Sequence, residues 1–225
     1  MHNQKNLFEY ILFDLDGTLT DPKEGITKCV QYALASVGID ESDLDKLEPF
    51  IGPPLADSFM EFYGFDREQA MKLVDKYRER FTDVGMYENA VYPGIPNMLS
   101  ELKEAGCKIS IASSKPTELV EGILEHFDIR KYFDAVVGSN LDGTRTKKEE
   151  VVEEALRQLQ CVKEKTAMVG DRKFDIEGAR AFGLTGIGVS FGYAAENELE
   201  EAGADYIVDT VEELQNLLLG GNLDG

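Results

Sequence analysis

Apolar residues fall into two textures along this chain. From about residue 91 onward, short apolar runs alternate with stretches in which apolar side chains recur every three or four positions. Lys108-Ile109-Ser110-Ile111-Ala112 and Thr166-Ala167-Met168-Val169 read as short strands, and Tyr10-Ile11-Leu12-Phe13 reads as a buried one near the N-terminus. Between the two later runs, Val151, Val152, Ala155, Leu156 and Leu159 form a helical stripe. This alternation predicts an α/β fold built on a doubly wound, Rossmann-like parallel sheet.

From about Asp21 to Asn89 no strand signal of that strength occurs, only successive helical patterns. Asp21-Pro22-Lys23-Glu24 opens the first, with Asp21 predicted to cap, Pro22 to take the first helical position and Glu24 to reach back. Ile26, Val30, Ala33, Leu34 and Val37 then share a face, and Gly38 stops the helix. A helix is expected to start near Leu55, and another to run from about Asp66 to Phe81 with Ala70, Val74, Tyr77 and Phe81 in register. The pattern predicts an all-α domain over residues 21–90, inserted into an α/β core made of 1–20 and 91–225. Thr20-Asp21-Pro22 and the stretch from Asn89 to Pro93 are the expected hinges.

Chemistry concentrates where the strands end. Asp14-Leu15-Asp16-Gly17-Thr18 follows the first strand, and two carboxylates one residue apart repel unless a cation or proton sits with them. Such a pair offers a nucleophile and a proton shuttle; a plain strand-ending turn would also use Asp and Gly. A calcium loop is excluded, because Thr18-Leu19-Thr20-Asp21-Pro22 lacks the alternating oxygen ligands it needs. Ser113-Ser114-Lys115-Pro116 follows the second run, and Gly170-Asp171-Arg172-Lys173-Phe174-Asp175 the third. In an open parallel sheet those ends lie along one edge, where ligands bind.

This ordered set resembles the haloacid dehalogenase superfamily of phosphohydrolases, in its phosphoglycolate-phosphatase-like branch with a helical cap. The resemblance runs from about residue 9 to about residue 217. It implies that Asp14 is the nucleophile that becomes an aspartyl phosphate, and that Asp16 is the general acid and then the base. It implies Mg²⁺ held by Asp14, the Asp16 carbonyl and Asp171, with Asp175 orienting a metal-bound water or Lys148. Thr18, Ser113, Ser114 and Lys148 are the expected phosphate-binding residues. Lys148 fits the clamp position better than Lys147, since Glu150-Val151-Val152 follows it at the family's spacing. Lys115 either lines the phosphate entrance or is an exposed loop lysine. Ile51-Gly52-Pro53-Pro54-Leu55 resembles the cap loop facing the site, and equally suits a rigid turn before a helix.

The resemblance implies hydrolysis of a small phosphorylated metabolite, with phosphoglycolate, a 5′-nucleotide or pyrophosphate as candidates. Asp16 favours phosphate-ester chemistry over dehalogenation or phosphonate cleavage. A sugar-phosphate mutase remains the alternative, and a non-enzymatic phospho-acceptor the remote one. The formal charge of −20 argues against a nucleic acid polymer or anionic membrane as partner. No leader-like or membrane-spanning run is seen, so a cytoplasmic monomer or homodimer is expected. Cys29, Cys107 and Cys161 form no metal-like spacing and read as idle thiols. Gly186 to Gly192 lacks the dinucleotide-fingerprint spacing, His126 reads as a cap or packing residue, and Glu196 to Glu201 reads as a solvated helix face. His2 and the segment from Gly220 to Gly225 are expected to be loose tails.

Overall fold

The structure is a computed structural model that describes residues 7–220, so the expectations for His2 and for 221–225 lie outside the described residues. The chain forms two compact units, Met1–Leu19 with Val91–Gly225, and Thr20–Ala90.

The first unit is an α/β sandwich. Its strands are β1 (Tyr10–Phe13), β4 (Lys108–Pro116), β5 (Ala135–Ser139), β6 (Thr166–Gly170), β7 (Thr185–Val189) and β8 (Tyr206–Val208). Two short strands, β2 (Thr20–Asp21) and β3 (Ala90–Val91), pair with each other where the chain leaves and re-enters this unit. The six-stranded sheet has the order β5-β4-β1-β6-β7-β8, with every neighbouring pair parallel. Parallel strands are covered on both faces, which is why Ile11, Leu12 and Phe13 are all apolar and fully buried rather than alternating with polar residues.

Helices α4 (Ile95–Glu104), α5 (Thr117–His126), α6 (Lys148–Leu159), α7 (Lys173–Phe182), α8 (Glu198–Ala202) and α9 (Val211–Leu218) complete the unit. The α6 stripe packs on the sheet: Val151, Val152, Ala155 and Leu159 meet Leu12, Ala112, Val137 and Met168 in one buried cluster. Register then fixes the site. Phe13 stands level with Ile111 on one side and Val169 on the other, so the residues that follow each strand emerge side by side. The strand order reverses about β1, which makes this edge the crevice where a doubly wound sheet binds ligands.

One local expectation changes, at the end of β4. β4 continues through Ser113-Ser114-Lys115 to Pro116, with its pairing to β5 irregular between Ala112 and Pro116. The strand therefore carries the polar residues itself instead of handing them to a loop. Thr185–Val189, inside the glycine-rich run, is a strand. His126 closes α5 with its ring edge-on to Phe127, as a packing residue.

The second unit is helical, with α1 (Lys23–Ala35), α2 (Leu55–Tyr63), α3 (Arg67–Asp83) and 3₁₀ turns at Leu44–Phe50 and Gly85–Tyr87. Phe50 packs against Phe59 and Phe62, with ring centroids 5.0 and 5.4 Å away. Asp66 and Gln69 form a reciprocal capping box at the start of α3. The start of α1 differs from expectation. Asp21 accepts from the Lys23 N–H (3.1 Å), Pro22 is the cap residue rather than the first helical one, and Glu24 pairs with Lys28 at 2.5 Å. A lysine one turn away out-competes the backbone for that carboxylate. The helix ends at Ala35, so Val37 lies beyond it and is exposed. Pro54 leads directly into α2, so the Ile51–Leu55 segment is a turn before a helix.

Gly25 sits inside α1, where alanine would ordinarily gain about 1 kcal/mol of helix propensity. A Cβ there would stand 2.0 Å from the Gly85 carbonyl oxygen, a backbone atom that cannot step aside. Gly25→Ala is therefore expected to destabilise by about 1–3 kcal/mol through overpacking. Denaturant unfolding checks this, and a stabilised variant would contradict the close approach.

Candidate active site

Asp14 leaves β1 still tied to the sheet, its N–H donating to the Val169 carbonyl at 2.9 Å. Its Oδ1 accepts from the Leu15 N–H at 2.7 Å, and its Oδ2 lies 2.8 Å from Lys148 Nζ. Asp16, two residues on, has a different partner: Lys115 Nζ is 2.8 Å from Oδ1 and 2.7 Å from Oδ2. Both acids are buried, yet each faces its own lysine. Burial pushes the Asp16 carboxyl above the usual carboxylate range, and Asp14 adds to this, against the opposing pull of Lys115 and Lys148. Of the two readings for Lys115, the exposed loop lysine is excluded, since its side chain is buried against Asp16.

Lys148 opens α6 and is buried, although cations are disfavoured at a helix N-terminus. Its ammonium has three partners: Asp14 Oδ2 (2.8 Å), Asp175 Oδ1 (2.8 Å) and the Ala112 carbonyl (3.0 Å). Burial alone would lower its pKa, but Asp14 and Asp175 outweigh that and raise it, so the lysine stays charged. Lys147 is an exposed cap residue, so the structure places Lys148, not Lys147, at the acids.

Ser113 is buried on β4, its Oγ accepting from the Lys115 N–H at 3.3 Å, and Ser114 beside it is half-buried. Thr18 is arranged differently from the expected phosphate contact. It is fully buried, and its hydroxyl donates to Asp171 Oδ1 at 3.4 Å. Gly17, at φ +77°, lets the turn fold that way; a Cβ there would stand 2.1 Å from Asp171 Oδ2.

Asp171 follows β6, and Asp175 lies in the first turn of α7. Asp14, Asp171 and Asp175 each bring a carboxylate oxygen within 4.8 Å of the others, all buried. Three such acids with one lysine leave excess negative charge. Burial and mutual repulsion accordingly push Asp171 well above its usual pKa, and burial pushes Asp175 from 3.8 to about 6. Asp175 Oδ1 is a buried oxygen without a hydrogen bond: Lys148 Nζ is within ion-pair distance but off the hydrogen-bonding direction. An all-oxygen, buried, over-charged cluster with a spare acceptor fits a hard divalent cation such as Mg²⁺. The Asp16 side chain lies outside this cluster, consistent with the expectation that only its carbonyl is a ligand.

Two elements of the site were not read from the sequence. The Phe191-Gly192-Tyr193 turn closes on Asp171: Tyr193 N–H donates to Oδ2 at 2.8 Å, and a Cβ on Gly192 would sit 2.3 Å from Asp171 Cβ. Glu198, expected to belong to a solvated face, is instead paired with Arg172 at 2.9 Å. Its neighbours Glu196, Glu200 and Glu201 are exposed as expected.

A carboxylate cluster beside a buried lysine, at the switch point of a parallel sheet, occupies the edge where such a fold binds its ligands. Residues 11–189 match the family described as haloacid dehalogenase-like hydrolase. A 5′-nucleotidase from Pseudomonas aeruginosa is 51% identical over 189 residues, 84% of this chain and 86% of that protein. The tyrosine-protein kinase PtkA of Mycobacterium tuberculosis is 32% identical over 93% of this chain and 72% of that protein. The crystal structure of a predicted phosphatase from Clostridium acetobutylicum superposes with a TM-score of 0.91 at 49% identity, covering 93% of this chain and 97% of that one. The chain belongs to the haloacid dehalogenase-like hydrolases, and within them it is a phosphatase.

A raised carboxyl holds its proton more tightly folded than unfolded. Without a cation, the contribution of Asp175 to stability is thus present below pH 3.8 and lost as pH rises through about 6. A cation must displace that proton. The Mg²⁺-induced rise in melting temperature is therefore expected to be larger at about pH 7.5 than at about pH 5. Thermal melts with and without Mg²⁺ check this, and a pH-independent increment would contradict the metal cluster.

Proposed function

We propose that the enzyme hydrolyses phosphomonoesters of small metabolites through a covalent aspartyl phosphate on Asp14, with 5′-nucleotides as the first substrate class. The observation that carries the reading is the division of partners. Asp14 is held by the buried Lys148, while Asp16, two residues away, is held by Lys115. Two nearby carboxylates in different surroundings are suited to two different roles. The 5′-nucleotide assignment is supported by the relative of that name at 51% identity.

In the first step a carboxylate oxygen of Asp14 bonds to phosphorus, the bond to the leaving oxygen breaks, and Asp16 gives that oxygen its proton. Asp16 carries a raised pKa, as a carboxyl with that task requires. In the second step Asp16 takes a proton from water as the water oxygen bonds to phosphorus. The bond to Asp14 then breaks, and inorganic phosphate leaves. Lys148 holds the Asp14 carboxylate in place and brings a positive charge to the phosphoryl oxygens, with the Ser113 and Ser114 hydroxyls as further donors on β4. Thr18 serves by bracing Asp171. Asp14, the Asp16 carbonyl and Asp171 are the proposed ligands of Mg²⁺, with Asp175 beside them. Bound there, Mg²⁺ neutralises phosphate charge and lets an anionic nucleophile approach an anion.

Asp14→Asn is expected to cut kcat roughly 10³-fold or more, because an amide is a poor nucleophile. Phosphate release from 5′-nucleotides, phosphoglycolate, pyrophosphate and sugar phosphates, with and without Mg²⁺, checks this. Full activity in the variant would sink the mechanism. Preference for phosphoglycolate would move the substrate class, and dependence on a sugar bisphosphate would mark a mutase. Phosphate transfer from ATP to a tyrosine peptide would contradict the hydrolytic reading. Asp16→Ala is expected to slow alkyl esters far more than aryl esters, since only poor leaving groups need the proton. Equal losses on both ester types would remove the general acid from Asp16.

A further inference from the structure

Two of the three clustered carboxylates, Asp171 and Asp175, come from one short segment, and that segment is braced from elsewhere in the fold. Glu198, the first residue of α8, reaches it. Its Oε1 accepts from the Arg172 Nε–H at 2.9 Å and from the Lys173 N–H at 2.8 Å. Its Oε2 accepts from the Ala195 N–H at 3.0 Å. One carboxylate therefore joins the segment after Asp171 to the turn after Tyr193. The Tyr193 N–H is in turn the donor to Asp171 Oδ2, at 2.8 Å.

The arrangement closes a loop of contacts around Asp171. One side is covalent, through Arg172, and the other runs through Tyr193 and Ala195. Lys173 is also the first residue of α7, the helix that presents Asp175 in its first turn. Arg172, at the helix cap, has no side-chain oxygen to accept the first free N–H of that helix. Glu198 supplies the acceptor from a different element, where negative charge is favoured by the helix dipole.

A solvated acid would not accept three donors with its side chain only 9% exposed. The carboxylate is also held below its usual pKa: burial opposes this, but Arg172 and the two backbone N–H groups outweigh it, so it is ionised. The fold spends a charge-assisted network on keeping 171–175 in one place. A hard cation that tolerates little deviation in its ligand positions needs that rigidity.

We propose that Glu198 is a positioning residue for the divalent-cation site, setting Mg²⁺ affinity through Arg172, Lys173 and the 193–195 turn without touching metal or substrate. This rests on the reading that Mg²⁺ is held by Asp14, the Asp16 carbonyl and Asp171, with Asp175 beside them. Glu198→Gln keeps size but loses the charge and puts a donor against one of the N–H groups; Glu198→Ala removes the brace. Glu200→Gln, on the exposed part of the same helix, is the control.

The test is Mg²⁺ titration of the full chain by calorimetry, with kcat measured at saturating Mg²⁺. Both Glu198 variants are expected to bind Mg²⁺ about 10–100-fold more weakly, the usual effect of losing a residue that orients a ligand. Their kcat at saturation should stay within about 3-fold of wild type, and Glu200→Gln should bind as wild type does. If Glu198→Ala fails to fold, Glu198→Gln carries the same comparison. Wild-type Mg²⁺ affinity in the Glu198 variants, with or without a lower melting temperature, would overturn the proposal and leave the metal site standing. Absence of Mg²⁺ binding in the wild-type protein would overturn the metal site and the proposal together.

Discussion

The whole site hangs on one buried ammonium. Lys148 sits between Asp14 and Asp175 with a strand carbonyl as its third partner, and all three partners are buried. A charge taken this far from water costs several kcal/mol unless its partners are close and well directed. The β1 and β4 ends supply Asp14 and Ala112, and α7 supplies Asp175, so the lysine is satisfied only when those elements are docked. Removing one member of such a set typically costs about 3–5 kcal/mol, because the remaining charge is stranded. The network proposed to handle phosphate is therefore also a network on which the sheet edge depends.

That one lysine does not balance three acids. The excess charge appears as carboxyls pushed above their ordinary range, Asp171 most of all, and as a buried Asp175 oxygen without a hydrogen bond. A divalent cation would relieve both. A cation bound there would compete with protons for the carboxylates that repel one another most.

Much of this was readable in the sequence because it is local. The Tyr10–Phe13 run fixes β1 and delivers Asp14 and Asp16, and the α6 stripe from Val151 to Leu159 fixes where Lys148 must point. Asp175 lies four residues past Asp171, in the first turn of the helix that follows β6. What escaped is nonlocal. The pairing of Lys115 with Asp16 spans two strands, and the grip of Tyr193 on Asp171 spans twenty-two residues. Glu198 looked like its exposed neighbours because composition does not reveal which acid of a run turns inward. Gly192, whose missing Cβ leaves room for Asp171, is the residue that permits that close approach.

In the proposed mechanism the phosphoryl group passes through Asp14. The most direct measurement is acid quench of the wild-type enzyme during turnover of a 5′-nucleotide, followed by mass analysis of the peptide containing Asp14. An acid-stable, base-labile phosphoryl adduct on Asp14 is expected to appear before steady state and to be absent from Asp14→Asn. Rapid turnover with the adduct on another residue, or with an Asp14→Asn variant as fast as wild type, would contradict it.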